Sequence, residues 1–358
     1  MAQNGNRAPP RRGASGGPSK LADVARLAGV STATVSRCLN EPERVQARTR
    51  ERVMEAVAQL GYRPNFSARA LAARRTGTIG AVIPTMENAI FARGLQAFQE
   101  ELGRRGYTLL VASSSYREDL EEEEIRALAA RGADGLLLIG HHRDERIVDF
   151  LAGQGLPALV AWAYAPREAR LPSIGFDNRR SMTRLAEAVL AQGHRRIGVV
   201  SAQTAANDRA RDRVEGVRMA ARSAGLGEDD LAVIETTYGF DTGGVAFREL
   251  MARPAPPSAV MCGNDVLAVG ALRAARQMGL AVPDAVSVTG FDDVELATLV
   301  DPPLTTVHVP HREMGRRAAE MLVGMVAEGS LSCPSVELGA EIRMRATLGP
   351  ARDRGSPR

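Results

Sequence analysis

Residues 21–40 read LADVARLAGVSTATVSRCLN. Leu21, Val24, Ala25, Leu27 and Ala28 recur at roughly helical spacing. Gly29 interrupts them, at a place where a positive φ angle suits glycine. Ser31 then stands where a helix N-cap belongs, and Val35 and Leu39 give a second, shorter apolar stripe. Helix, glycine turn and helix form the helix-turn-helix pattern, whose second helix can enter the major groove of DNA. The same spacing fits an αα-hairpin packed in a core, so the pattern alone leaves DNA binding open.

The charge around this stretch bears on the choice. Residues 1–75 hold 14 Lys/Arg against 5 Asp/Glu, whereas the remainder holds 32 against 37. A basic head on a mildly acidic body is the distribution expected when only the head meets a polyanion. Lys20 is the only lysine, so nearly all of that charge is arginine. Upstream, Met1–Ser19 is rich in Gly, Pro, Ser and Arg and is expected to be disordered. Downstream, Thr49 is expected to cap a third helix, Arg50–Leu60, with Gly61 as its stop. Tyr62-Arg63-Pro64 forces an extended turn, after which Asn65 caps a short segment, Phe66–Arg74. A helix shorter than ~12 residues is marginal alone. The segment therefore reads either as a linker or as a helix that forms only against a partner.

From Thr78 the texture changes. Apolar runs of strand length (IGAVIP, YTLLVAS, DGLLLIG, ALVAWAY) alternate with the helical stretches Phe91–Arg105, Leu120–Arg131 and Glu145–Gln154. A second set begins near Ser173 with SIGFDN and runs through RIGVVSA, LAVIET, SAVMCG and VSVTGFD. Its helices are Ser181–Gln192, Asp212–Ala224, Gly243–Met251 and Val266–Met278. Such alternation signals parallel strands with helices on both faces. Two consecutive sets of similar size imply two lobes, with a ligand cleft beyond the carboxyl ends of the strands. A length of 358 residues suits two or three domains. No apolar run reaches the ~20 residues that cross a bilayer, and the N-terminus lacks a signal-peptide core. Cys38, Cys262 and Cys333 form no close pair and no metal-ligand spacing, which fits a reducing cytoplasm.

Read whole, the chain resembles the lactose/galactose repressor family of bacterial transcription factors from about Lys20 to Gly349. The resemblance rests on DVARLAGVSTATVSRCLN, ERVMEAVAQLGYRPN, the ARAL segment, AQGHRRIGVV, CGNDVLAVGAL, PDAVSVTGFDD and DPPLTTV, in that order. It implies an α/β fold. A small all-α helix-turn-helix head plus hinge helix precedes a two-lobed, periplasmic-binding-protein-like α/β domain of two parallel, doubly wound sheets. The expected boundaries are a disordered tail at 1–19, the DNA-binding domain at 20–64, the hinge helix or linker at 65–76, the effector-binding and dimerisation domain at 77–350, and a tail at 351–358.

The resemblance also implies site residues. Thr32, Ala33 and Arg37 fall on the family's recognition-helix positions. Arginine can donate two hydrogen bonds to guanine O6 and N7, which makes Arg37 the main expected base reader. Ser31, Thr34, Ser36 and Asn40 suit phosphate contacts that position the head without reading sequence. Leu71 matches the family's minor-groove wedge, an apolar side chain that unstacks one base step. The effector cleft is expected to collect Asn88, Phe91, Trp162, Arg213, Phe240, Asn264 and Asp292. Trp162 departs from the acidic residue common at that strand end, and extra arginines follow in NDRARDR. NAIFA and the WAY segment look most like the gluconate-operon-repressor branch, so a sugar acid such as gluconate is the expected effector.

His141, His142, His194, His308 and His311 make no metal set by spacing. No Ser/His/Asp order on a nucleophile turn, no GxGxxG after the first strand and no Walker loop is present. No enzyme activity and no cofactor is therefore expected. No leucine heptad follows IRMRATLG, so a dimer rather than a tetramer is expected. The expected function is a ligand-responsive transcription regulator, a cytoplasmic repressor that binds a palindromic operator as a homodimer, without membrane contact. The rival reading is a solute-binding protein for sugar uptake, whose architecture the body shares.

Overall fold

The computed structural model describes residues 19–62, 75–87, 89–165 and 169–352. The chain divides into two compact units, one up to Thr76 and one from Gly77. Residues 1–18, 63–74, with Leu71 and most of the expected hinge, Asn88, residues 166–168 and residues 353–358 lie outside the described residues.

The first unit contains α1 (Leu21–Ala28), α2 (Thr32–Asn40) and α3 (Ala47–Leu60). Val24, Ala25, Ala28, Val35, Cys38, Val53, Ala56 and Tyr62 form its buried core. Gly29, at φ 61°, and Gly61, at φ 57°, end α1 and α3 in the left-handed conformation. Ser31 caps α2 by accepting from Thr34 N at 3.1 Å, which satisfies one of the helix's orphan donors. Arg52 on α3 reaches back to accept the role of a C-terminal cap for α1, donating to Ala28 O at 2.5 Å. Helix α3 begins at Ala47, not after Thr49, which lies inside its first turn; Gln46 holds the N-cap position.

The second unit opens with β1 (Thr78–Ile83), α4 (Ala89–Arg104), β2 (Thr108–Ser113), α5 (Glu118–Ala130), β3 (Gly135–Ile139), α6 (Glu145–Gly153), β4 (Ala158–Ala161) and β5 (Ser173–Gly175). It continues with α7 (Asn178–Ala191), β6 (Ile197–Ala202), α8 (Asp208–Ser223), β7 (Leu231–Thr236), α9 (Phe240–Met251), β8 (Ala259–Cys262), α10 (Asp265–Gln277) and β9 (Ser287–Thr289). The last elements are α11 (Leu296–Leu299), β10 (Thr306–His308), α12 (His311–Glu328), β11 (Val336–Glu337) and β12 (Glu341–Arg343). The first sheet has the order β11-β5-β4-β3-β1-β2 and the second β7-β6-β8-β9, and every pairing within them is parallel. β10 pairs antiparallel with β12, and isolated parallel bridges, Thr289 to Thr305 and Asp292 to His308, link it to the end of β9. No described helix is long and apolar enough to cross a membrane.

Side-chain alternation along the strands explains the two-faced layering. In β3, Leu137 and Ile139 join the core with Phe98 and Leu102 of α4 and Met314 and Leu322 of α12, while Leu136 and Leu138 join Ile125 of α5 and Ile147 of α6. A period of two sends successive residues to opposite faces. In β6, Ile197 and Val199 meet α7 and α8, and Val200 meets Phe247 and Leu250 of α9.

Two features differ from the linear reading. Ser173–Gly175 pairs with β4, so SIGF closes the first sheet and does not open the second. Helix α12, which the strand-and-helix alternation does not single out, packs on α4 and returns the chain to the first lobe, as does β11 beside β5. The chain thus passes between the lobes after β5, after β9 and after β11. Helices α4 and α12 cross very closely: a Cβ on Gly315 would lie 1.9 Å from Gly94 O.

Candidate effector cleft and DNA-reading helix

On α2 the burial pattern separates two faces. Val35 and Cys38 are buried, whereas Ser31, Thr32, Ala33 and Arg37 are exposed, and Thr34 and Ser36 are half-buried. Among the described residues Arg37 forms no ion pair. Its guanidinium is therefore available to a partner. Asn40 ends the helix.

In the second unit, a cavity of about 860 Å³ lies where the C-terminal ends of both sheets face each other. Thr85, Met86 and Glu87 after β1, with Ser115, Tyr116 and Arg117 after β2, line it from the first lobe. Asn207 after β6, Tyr238 and Phe240 after β7, Val266 on α10 and Val294 after β9 line it from the second. Ser115 and Tyr116 both adopt left-handed backbone, at φ 52° and 59°. That bend carries Tyr116 across to Tyr238, with ring centroids 5.7 Å apart. Burial pushes both phenols above the ordinary tyrosine range, so both remain protonated donors.

A second bridge between the lobes lies alongside. Asp208, at the start of α8, accepts from His141 N at 2.5 Å, just beyond β3. Burial alone would raise the Asp208 carboxyl, but Arg209 and the His141 amide outweigh it and hold it low. Burial lowers His141 to about 4, so the ring is neutral near pH 7. Gly140 is required here: a Cβ would sit 1.8 Å from Arg209 Nη1, and φ is +73°.

Of the expected effector positions, Phe240 lines the cavity, with 42% of its surface exposed. Asn88 lies outside the described residues. The other five are buried beneath the cavity wall, in and around a ring of contacts. Trp162, only 2% exposed, meets Phe91 edge-on at 5.3 Å and lies over Gly94, where a Cβ would be 2.5 Å from Trp162 Cζ2. Its carbonyl accepts from Asn178 Nδ2 at 3.0 Å. Arg213 donates to Asn178 Oδ1 at 2.9 Å, to Gly263 O at 2.6 Å and to Asp292 Oδ1 at 3.5 Å, and stacks 3.8 Å above the Phe291 ring. The Asn264 side-chain oxygen caps α10 through Leu267 N at 2.9 Å, which leaves its Nδ2 without a partner. Asp292 Oδ2 and Ser201 Oγ are likewise buried without partners among the described residues. Leaving such groups unpaired costs about 1–3 kcal/mol each.

Motif reading passes over Tyr116, Tyr238, Asn207, Asn178 and His311. A signal for the first three exists in the sequence: each follows an apolar run of strand length, where side chains of a doubly wound sheet meet ligands. Asn178 shares it, three residues beyond the strand of SIGFDN, whereas His311 carries none, because its role arises where the chain crosses between the lobes.

Comparison with known proteins bears on both units. Residues 20–65 match the family described as bacterial regulatory proteins, lacI family, and residues 186–348 match a periplasmic binding protein-like domain. Over 330 residues the chain is 33% identical to the HTH-type transcriptional repressor PurR of Vibrio cholerae, covering 92% of this chain and 97% of that protein. The lac repressor dimer bound to operator and the anti-inducer ONPF superposes with a TM-score of 0.83 at 26% identity, covering 93% of this chain and all of that one. The transcription regulator GntR of Chromobacterium violaceum gives 0.70 at 27% identity over 76% of this chain and 99% of its own. A solute-binding protein would account for the two-lobed body but not for a lacI-type head joined to it. The chain belongs to the LacI family and is a ligand-responsive, DNA-binding transcriptional regulator.

Proposed function

We propose that the chain is a cytoplasmic repressor that binds a near-palindromic operator as a homodimer and releases or tightens its hold when a small molecule enters the inter-lobe cleft. The observation that carries this reading is the pairing, in one chain, of an exposed Arg37, without an ion pair among the described residues, on a capped helix, with a cleft of about 860 Å³. Arg37 reads bases. Thr32 and Ala33 add short-range contacts, and Ser31, Thr34, Ser36 and Asn40 serve the phosphates. Leu71 wedges the operator centre, and residues 65–76 fold as a helix there against DNA and the partner's hinge. An exposed sheet edge at β2, with Leu110 and Val111 more than a third exposed, supports pairing with a second copy.

We read the effector as an uncharged, hydroxyl-bearing molecule. A sugar acid of the gluconate type would be held best by a buried cation, and the buried arginines near the cleft are engaged. Arg213 is bonded on three sides and Arg209 pairs with Asp208, which leaves Arg117, in an exposed pair with Asp119, as the one cation of the cavity lining. Tyr116, Tyr238 and Phe240 supply ring faces for an apolar ligand surface. The protein acts by binding, not by turnover. The Asn264 and Asp292 atoms without partners among the described residues become ligand partners, and the effector shifts DNA affinity to the extent that such contacts differ between the chain's states.

Selection of duplexes from a randomised pool by the full chain tests the DNA reading. A recovered palindrome supports it, and recovery without sequence preference overturns it. Leu71→Ala is expected to weaken specific binding far more than nonspecific binding; equal losses remove the wedge. Thermal-shift titration with D-glucose and D-gluconate tests the charge assignment, since a ligand of the folded state raises Tm by mass action. A shift with gluconate alone would replace the neutral effector by the sugar acid.

A further inference from the structure

The ring beneath the cleft contains one residue with no part in the readings above. His311 opens α12, is 5% exposed, and stands between two partners from different crossings of the chain. Trp162 Nε1 donates to its Nδ1 at 3.1 Å, and its Nε2 lies 3.2 Å from the Asp292 carbonyl oxygen. An indole N–H only donates and a carbonyl only accepts. The two partners therefore assign the tautomer: Nδ1 is bare and Nε2 carries the proton.

Asp292 needs such a hold. Its φ is 100° and that of Asp293 is 53°, conformations that persist only where the surroundings over-determine them. Asp292 N donates to Val307 O at 2.9 Å, and Val294 N donates to the buried Asp265 carboxylate at 2.7 Å. The carbonyl of Asp292, by contrast, is held from the opposite lobe by His311. The turn positioned in this way carries the unpartnered Asp292 Oδ2.

We propose that His311 is the positioning residue for Asp292: bridging Trp162 and the Asp292 carbonyl, it fixes the left-handed turn so that the free carboxylate oxygen keeps one orientation toward the effector. This rests on the reading of the cleft as the effector site. The bridge needs a neutral ring, because protonated Nδ1 cannot accept from Trp162. Burial lowers the His311 pKa, with Asp292 opposing and Arg213 and His308 adding to the shift. His308 itself faces Asp293 at 2.9 Å.

The test uses the full chain without ligand. Hydrogen exchange is followed in the peptide spanning 288–296, with the β6 and β7 peptides as internal controls. His311→Phe removes both bonds, and His311→Gln keeps a donor for the carbonyl. Exchange at 288–296 is expected to rise roughly tenfold in His311→Phe, as loss of about one hydrogen bond allows, with the controls unchanged and protection largely restored in His311→Gln. Unchanged exchange in His311→Phe overturns the proposal, and so does equal loss in both variants, which would make His311 packing only. Trp162 is the only tryptophan, so its emission reads the bridge directly. A pH-dependent step with a midpoint below 6.5 is expected in the parent and absent in His311→Gln. None of these readouts needs a bound effector, so failure of the thermal-shift titration would remove the effector reading while leaving the positioning result standing.

Discussion

Two arginines show how differently this chain uses one side chain. Arg37 on α2 is exposed and forms no ion pair among the described residues, over a helix that buries only Val35 and Cys38 fully. Arg213 on α8 is 5% exposed, hydrogen-bonded to Asn178, Gly263 and Asp292, and stacked on Phe291. A guanidinium with open donors is suited to a partner not yet present, whereas one with every edge engaged holds its neighbours in place. The contrast separates a side chain open to a partner from one that keeps its surroundings in shape.

The contrast fails or sharpens under substitution. Arg213→Ala leaves Asp292 buried beside no counter-charge, and an expected loss of about 3–5 kcal/mol in folding stability would appear as a lower urea midpoint. A loss within the range of exposed sites would mean that Arg213 is not holding the ring. Arg37→Ala is expected to do the reverse. The urea midpoint stays put, while affinity for a selected operator falls by about 1–3 kcal/mol and sequence preference relaxes at one position. A uniform loss across sequences would reassign Arg37 to phosphate.

Acid tests the buried groups as a set. His141, His194 and His311 have pKa values lowered by burial. The unfolded chain then binds protons first as pH falls below about 6.5, and stability declines from there down toward pH 4, where His141 itself titrates. Asp265 opposes this, because burial raises its carboxyl well above the usual range and favours the folded form on acidification. Tm measured between pH 7.5 and 4 should fall, and His141→Asn should flatten the slope. An unchanged slope would show that the ring stays accessible. Two smaller effects complete the series. Ser31→Ala removes the α2 cap and should cost about 1 kcal/mol of head stability, read by circular dichroism. Arg117→Ala breaks an exposed pair with Asp119 and should leave Tm essentially unchanged.

The legible parts of the molecule are those encoded locally. Ser31, Gly29 and Gly61 mark helix ends because cap chemistry depends on neighbouring residues alone. Helix starts were harder: α7 and α8 begin at Asn178 and Asp208, earlier than apolar periodicity places them, because their first turns are polar and capped by Asp177 and Asn207. Helix α12 escapes a propensity reading because Gly315 and Gly324 interrupt it, yet Gly315 is what lets it approach α4. Sheet membership of Ser173–Gly175 depends on strand order, which no local pattern carries. The cleft is legible in outline from strand ends. The left-handed backbone at Trp162, φ 62°, and the packing of its ring on Gly94 are not, because they depend on how two distant helices cross.

The triple passage of the chain between the lobes also bears on biosynthesis. The second sheet has all its strands once residue 289 has been made, but its core still takes in Ala297 and Leu304, and Val288 N donates to Thr347 O. The first sheet, although β1 to β5 emerge earlier, still waits for α12 to cover one face and for β11 to complete its edge. Neither lobe is therefore finished early, and a ribosome stalled before residue 311 leaves Leu137, Ile139 and Leu159 of the first without the α12 part of their cover. Premature termination in this stretch should yield a product in which both lobes are incomplete and the first is aggregation-prone.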